Sequence, residues 1–141
     1  MFKKLSNFIF TIVYLIDKIL LFFINKSFLI YFIEFYEKNS YQKVNILNKR
    51  INFFVPNQLI NWRINTIFTK EPETIEWINS FDKKKNIFWD IGANIGLFSI
   101  YNSLKNKNCA TIAFEPSTSN LRILSRNISI NKFEKRISIF S

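Results

Sequence analysis

Five residues in the second half of the chain have types and spacing suited to holding a cofactor. Both glycines of the 141-residue sequence, Gly92 and Gly96, occur in the segment DIGANIG. The same segment contains Asp90 and Asn94, and Glu115 follows further along the chain. Glycine is needed where the backbone turns with a positive φ angle or approaches a ligand closely, and the amides of such a turn can donate hydrogen bonds to a ligand. An acid after the next strand can accept hydrogen bonds from both hydroxyls of a ribose, which together predicts a nucleoside-containing cofactor.

The pattern around the glycines favours one cofactor over another. A dinucleotide fingerprint is G-x-G-x-x-G, whereas this turn has D-x-G-x-N-x-G. The Asp90 carboxylate would repel a diphosphate but is compatible with the cationic amino group of a methionine moiety. S-adenosylmethionine has that amino group and a ribose, so Asp90 and Glu115 each have a partner on it. The alternative is that Asp90 only caps the next helix and Glu115 is a solvated acid, and a nicotinamide cofactor is a third interpretation.

A β-α-β unit is predicted to position these residues. The apolar run IFWDI over 87–91 is typical of a buried parallel strand, and CATIAF over 109–114 predicts a second strand. Between them, LFSIYNSL has the apolar spacing of a helix. After Glu115 a further helix is predicted, with Ser117 as its N-cap and Leu124 in its apolar stripe. Arg122 and Arg126 are predicted to point away from that stripe as solubilising charges.

The same residues resemble a known family. FWDIGANIGLFS followed by AFEPSTSNLRILSRNISIN is similar to the FkbM-type S-adenosylmethionine-dependent methyltransferases. The resemblance covers about residues 71–140. It implies that the DIGANIG turn holds the methionine part of the cofactor and that the FEP acid holds the ribose. Carried over position by position, it assigns Asp90, Gly92, Asn94 and Gly96 to the methionine end and Glu115 to the ribose. The pattern P-x-x-x-N-x-x-L-x-x-N of the family falls on Pro116, Asn120, Leu124 and Asn127.

The expected fold class is α/β, with an incomplete Rossmann-like class I methyltransferase sheet. The first two strands and the start of a third, over 136–141, are present, whereas such a sheet normally has about seven strands. We therefore expect residues 87–141 to be a truncated S-adenosylmethionine-binding domain. We further expect the chain to be an N-terminal fragment that is inactive alone, with no residue assignable as a catalytic base.

Residues 37–86 are expected to be a linker with two recognisable pieces. Val44 to Leu47 and the alternating apolar residues of 51–55 predict a short hairpin that ends at Pro56. In TKEPETIEWINSF, Pro72 suits the first turn of a helix, and the neighbouring acidic residues favour its positive end.

Residues 1–36 form an apolar helical segment rich in Phe, Ile and Leu. Asp17, Lys18, Asn25 and Lys26 interrupt it, so no uninterrupted run of about 20 apolar residues is available for a bilayer crossing. The segment suits a membrane-surface anchor or a helix packed against protein, and a single tilted span with Lys3 and Lys4 inside stays open.

Composition excludes several classes of function. The sequence has no His and one Cys, so it lacks the members of Ser/His triads, Cys/His dyads and common zinc sites, and we predict no metal. The net charge of +10 is spread along the chain, which favours a solvated basic surface and no nucleic-acid partner.

The sequence therefore predicts a methyltransferase that uses S-adenosylmethionine, with O-methylation of a glycan or another small hydroxyl acceptor. We expect it in the cytoplasm, associated with the inner face of a membrane, and we make no prediction of its oligomeric state. The alternative function is a non-catalytic, membrane-associated interaction module with a degenerate nucleotide-binding fold.

Overall fold

The computed structural model describes residues 1–82 and 86–141, which divide into two compact units, 1–40 and 41–141. The first unit contains two helices, and the second contains a hairpin, four helices and a three-stranded sheet. In chain order the elements are α1 (Phe2–Ile24), α2 (Phe28–Asn39), β1 (Tyr41–Ile46), β2 (Lys49–Phe54), α3 (Gln58–Asn65), α4 (Pro72–Asn79), β3 (Asn86–Ile91), α5 (Leu97–Lys105), β4 (Cys109–Phe114), α6 (Thr118–Ile130) and β5 (Ile137–Phe140).

The first unit is a pair of apolar helices joined at a polar turn. Asp17 is the one buried residue of α1, and its carboxylate accepts hydrogen bonds of 2.8 Å from the Ser27 hydroxyl and of 2.8 Å from the Leu29 amide. Ser27 is also the N-cap of α2, since its hydroxyl accepts a bond from the Ile30 amide. The charge that interrupts α1 therefore satisfies the free amides at the start of α2.

Most of the surface of this unit is apolar. Large hydrophobic side chains are exposed along both helices, for example Phe22 at 83% and Phe35 at 68%. By length and composition α1 could cross a membrane, with a mean hydropathy of 2.0 over its most apolar window, of which 6% is buried. A signal sequence would satisfy the same criteria.

The second unit begins with the predicted hairpin. Strands β1 and β2 pair antiparallel from Tyr41 opposite Phe54 to Ile46 opposite Lys49. The two residues of the turn, Leu47 and Asn48, have φ angles of 50° and 61°. Two positive φ angles give the turn a twist that matches the twist of the paired strands, which is why such two-residue turns close hairpins well.

The predicted α/β fold with a partial parallel sheet is confirmed. Strands β3, β4 and β5 are all parallel, in the order β3-β4-β5. Helix α5 connects β3 to β4, and helix α6 connects β4 to β5. The carboxyl ends of β3 and β4 therefore lie side by side, with Ile91 opposite Phe114, and the residues that follow both strands meet at one edge of the sheet.

The two faces of the sheet differ in burial. Phe88, Thr111 and Ala113 point to the buried face, which packs against α5 and the rest of the core. On the other face Trp89 is 59% exposed and Ile91 is 78% exposed. Strands of a parallel sheet are usually covered on both faces, so this apolar face is an unusual feature of the described chain.

The hairpin packs against α6. Asn131 accepts a bond of 3.0 Å from the Asn52 amide and donates one of 2.7 Å to the Asn52 carbonyl, and thus continues the hydrogen bonding of β2. The Arg126 guanidinium lies 3.9 Å from the centre of the Phe54 ring, and its Nε donates to the Tyr41 hydroxyl at 2.7 Å. The prediction of a solubilising role is therefore wrong for Arg126, because a guanidinium stacks well on an aromatic face. Arg122 also lies over Phe54, at 5.8 Å, and the same correction applies to it.

Candidate cofactor site

The turn between β3 and α5 owes its shape to left-handed backbone conformations. Gly92 and Gly96 have φ angles of 76° and 84°, and Asn94 between them has a φ angle of 55°. The Gly92 and Ala93 amides both donate to the Phe114 carbonyl at 2.9 Å, which ties the turn to the end of β4. Gly96 is the N-cap of α5. Side chains rarely adopt these φ values, apart from Asn and Asp, so the spacing of Gly and Asn follows from the backbone.

The Glu115 carboxylate lies against this turn. One of its oxygens accepts a hydrogen bond of 2.7 Å from the Asn94 amide, and the other accepts bonds from the Ser117 amide at 2.8 Å and the Asn120 side chain at 3.4 Å. Glu115 is 5% exposed, so it is not the solvated strand-end acid of the alternative interpretation. A carboxylate has about four lone-pair positions, so these three donors leave room for a bond to a ligand.

Asp90 is also buried, at 7% exposure, and its carboxylate accepts a hydrogen bond from the Ser99 hydroxyl in the first turn of α5. Burial raises the pKa of Asp90 above its ordinary value of 3.8, against the effect of the hydrogen bonds from Ser99. The negative charges of Glu71 and Glu115 raise this pKa further. Because the folded state holds the proton more tightly, the contribution of Asp90 to stability falls as the pH rises from 3.8 through the raised pKa.

Three residues of the P-x-x-x-N-x-x-L-x-x-N pattern support the turn from α6. Asn120 contacts Glu115, as described. A methyl group of Leu124 fills the space beside Gly96, where a Cβ would lie 2.5 Å from it. Asn127 is fully buried, donates to the Ile95 carbonyl at 2.9 Å and accepts from the Phe54 amide at 2.8 Å. Within the described chain these side chains hold the turn and the hairpin together.

The structure adds residues that the sequence interpretation placed in the linker. A cavity next to the turn is lined by Arg63 of α3, by Lys70 and Glu71 ahead of α4, and by Asn94. Arg63 donates a hydrogen bond to the side-chain oxygen of Asn94. The adjacent opposite charges of Lys70 and Glu71, just before a predicted helix, were the available sequence signal. No local pattern pointed to Arg63, because its contact is with a residue far along the chain.

The site residues predicted from the sequence therefore gather in one place. Glu115 bonds the amide of Asn94, and the charge of Glu115 acts on Asp90. Gly92 lies on the open side of the turn, since a Cβ there would meet no atom within 4 Å, whereas Gly96 is buried against α6. The arrangement presents backbone amides and buried carboxylates at the carboxyl edge of a parallel sheet, which is where ligands bind in open α/β folds.

Comparison with known proteins gives one curated relative and several solved structures. Over 42 residues the chain is 48% identical to methyltransferase sdnD of Sordaria araneosa, covering 30% of this chain and 16% of that protein. It superposes on P. horikoshii TYW2, solved in complex with MeSAdo, with a TM-score of 0.50 and 18% identity, covering 73% of this chain and 36% of the other. For M. jannaschii TYW2 in complex with AdoMet the TM-score is 0.48 at 14% identity, covering 72% and 42%. No family model matches the chain.

The chain thus has the Rossmann-like α/β fold found in S-adenosylmethionine-dependent methyltransferases. At 18% identity, the similarity to P. horikoshii TYW2 concerns the fold and not the activity. The chain spans only 16% of the length of sdnD and 36% of the length of the P. horikoshii protein.

Proposed function

We propose that this chain carries the cofactor-binding part of a methyltransferase and that it binds S-adenosylmethionine at the glycine turn. The observation that carries the proposal is the hydrogen bond from the Asn94 amide to the Glu115 carboxylate, which brings the two predicted motifs into one site. The 48% identity to a methyltransferase over 42 residues supports it independently.

Each site residue has a role in this proposal. Glu115 binds the ribose hydroxyls through the lone pairs that its protein donors leave free. Asp90 lies on the side of the methionine amino group, and a cation there would offset the cost of burying its charge. Gly92 and Asn94 line the methionine end with backbone, and Gly96 lets α5 start close to it. The FkbM-type resemblance of the two motifs supports the same assignment.

The proposed reaction is methyl transfer to a hydroxyl oxygen. The acceptor oxygen attacks the sulfonium methyl in line, the bond from sulfur to the methyl carbon breaks, and S-adenosylhomocysteine leaves with the bonding electron pair on sulfur. The protein contributes alignment, and a positioned base removes the hydroxyl proton. We assign no residue to that base, and we propose a glycan or another small hydroxyl compound as the acceptor.

Calorimetric titration with S-adenosylmethionine and S-adenosylhomocysteine tests the binding proposal. We expect saturable heat from the wild-type chain, and a loss of affinity of about tenfold or more in Glu115→Gln, because a hydrogen bond to a charged group contributes about 1.5–3 kcal/mol. Glu134→Gln, at an exposed position, is the matched control and should bind as the wild type does. Absence of heat from a folded sample, or identical binding by Glu115→Gln, would contradict the proposal, and binding of NAD instead would favour a nicotinamide protein.

We also propose that residues 1–40 attach the chain to the inner face of a membrane. The apolar surface of α1 and α2 supports this location, and the use of Asp17 to cap α2 removes the main charge that would oppose it. Such attachment suits an acceptor held near the membrane. If the titrations show no cofactor binding, the same surface favours the second candidate, a non-catalytic membrane-associated interaction module.

A further inference from the structure

The cavity beside the glycine turn has charged groups of both signs. Arg63 and Lys70 supply positive charges, and Glu71 supplies a negative one. The N-terminal residues of α5, Leu97 and Phe98, form the remaining wall. A purely structural cavity of this size would be expected to be apolar, whereas this one combines opposite charges with the positive end of a helix.

Arg63 is connected directly to the predicted cofactor residues. Its guanidinium donates to the side chain of Asn94, and the amide of Asn94 donates to Glu115. Asn94 therefore links the acid predicted to bind ribose to a cation on α3. A guanidinium has five N–H donors in a fixed fork that matches a carboxylate, so one bond to Asn94 leaves donors for a ligand.

Glu71 lies on the opposite charge balance of the same cavity. Its carboxylate is 3.1 Å from the Lys70 ammonium, and both side chains are about half exposed, at 40% and 53%. Its charge also reaches Asp90, whose pKa it raises. Two carboxylates that repel each other at one cavity are relieved when a cation binds between them.

We propose that Arg63 and Glu71 bind the two charged ends of the amino-acid part of the cofactor, with Arg63 on the α-carboxylate and Glu71 on the α-ammonium. This inference rests on the proposed function and extends it to two residues outside the family-like motifs. An α-amino acid carries a carboxylate and an ammonium on one carbon, which is the charge pattern that this cavity complements. The site would thereby select ligands with an intact amino-acid end over nucleosides that lack it.

The test compares two ligands that differ only at that end. S-adenosylhomocysteine has the amino-acid group, and 5′-methylthioadenosine has a methyl group in its place. Each is titrated into the full chain and into the variants Arg63→Gln and Glu71→Gln. We expect both variants to lose about tenfold or more in affinity for S-adenosylhomocysteine, the loss expected for one hydrogen bond to a charged group, and to bind 5′-methylthioadenosine as the wild type does.

Matched controls change the same charges elsewhere. Arg50→Gln on β2 and Glu76→Gln on α4 alter exposed residues outside the cavity and should leave both affinities unchanged. Glu71 is part-exposed at the start of α4, so Glu71→Gln should fold even if Arg63→Gln does not.

The outcomes separate the two proposals. If the wild type binds both ligands but the variants lose affinity for both equally, or for neither, the inference about Arg63 and Glu71 is overturned while the cofactor proposal stands. If the wild type binds neither ligand, the cofactor proposal fails and this inference fails with it.

Discussion

Gly92 and Gly96 have similar backbone conformations but different surroundings. Both have positive φ angles, yet a Cβ on Gly92 would point into open space, whereas a Cβ on Gly96 would lie 2.5 Å from a methyl group of Leu124. Gly96 is thus required by packing as well as by conformation. Gly92 is required by conformation, and its open side faces the space in which we propose that the ligand binds.

This difference predicts unequal effects of two matching substitutions. Gly92→Ala should cost about 1–2 kcal/mol of unfolding free energy, the strain of an alanine in the left-handed region. Gly96→Ala should cost more, about 2–5 kcal/mol, because overpacking against Leu124 adds about 1–3 kcal/mol. Urea denaturation followed by tryptophan fluorescence measures both, and a Gly92→Ala variant less stable than Gly96→Ala would contradict the packing argument.

Residue types predicted part of the site and missed the rest for a physical reason. Gly92, Gly96 and Glu115 were recognisable because few residues other than Gly tolerate such a turn and because an acid at a strand end is exposed to a ligand edge. Arg63 was not recognisable, since its role depends on a contact with Asn94 that only the folded chain creates. Asp90 was predicted to face the methionine group, and its bond to Ser99 adds a capping contact with α5.

At the scale of elements, local patterns predicted each strand and helix near the site but not how distant ones pack. The strand over 87–91 is observed as β3 (Asn86–Ile91), and the strand over 109–114 as β4 (Cys109–Phe114). The hairpin is also observed, yet its position against α6 depends on Asn127 and Asn131, which read locally as polar positions beside an apolar stripe. Long-range hydrogen bonds of this kind leave no periodic signal.

Asn127 provides the prediction at this scale. Replacing it with alanine leaves the Phe54 amide and the Ile95 carbonyl buried without their partner. Each such group costs about 1–3 kcal/mol, so we expect Asn127→Ala to lower the unfolding free energy by about 2–5 kcal/mol. Ser125→Ala, at an exposed position of the same helix, should change it by less than about 0.5 kcal/mol. Equal stabilities of the two variants in urea would show that Asn127 does not join the hairpin to the turn.

At the scale of the whole molecule, an apolar helical unit and an α/β unit occur in one chain. The first sequence region was compatible with a membrane anchor, a packed helix or a tilted span, because hydrophobicity alone does not separate them. The structure adds that its helices expose most of their apolar side chains and that Asp17 is used within the unit. This favours attachment in the plane of a membrane surface.

Flotation with liposomes that contain anionic lipid measures this attachment. We expect the full chain to float with the lipid and residues 41–141 alone to remain at the bottom of the gradient, because burial of apolar surface on α1 and α2 drives binding. Flotation of residues 41–141 alone, or a full chain that remains in solution, would contradict the membrane proposal without affecting the cofactor site.

Nuclear magnetic resonance of the ¹⁵N-labelled chain tests the central claim most directly, since the sequence has only two glycines and both are in the proposed site. Their amide signals fall in a distinctive spectral region and report on the turn alone. During titration with S-adenosylhomocysteine we predict saturable shifts of both glycine signals and of the Asn94 amide, whose hydrogen bond to Glu115 must adjust to the ribose. Saturable shifts elsewhere with all three signals unmoved, or no shifts in a folded sample, would contradict it.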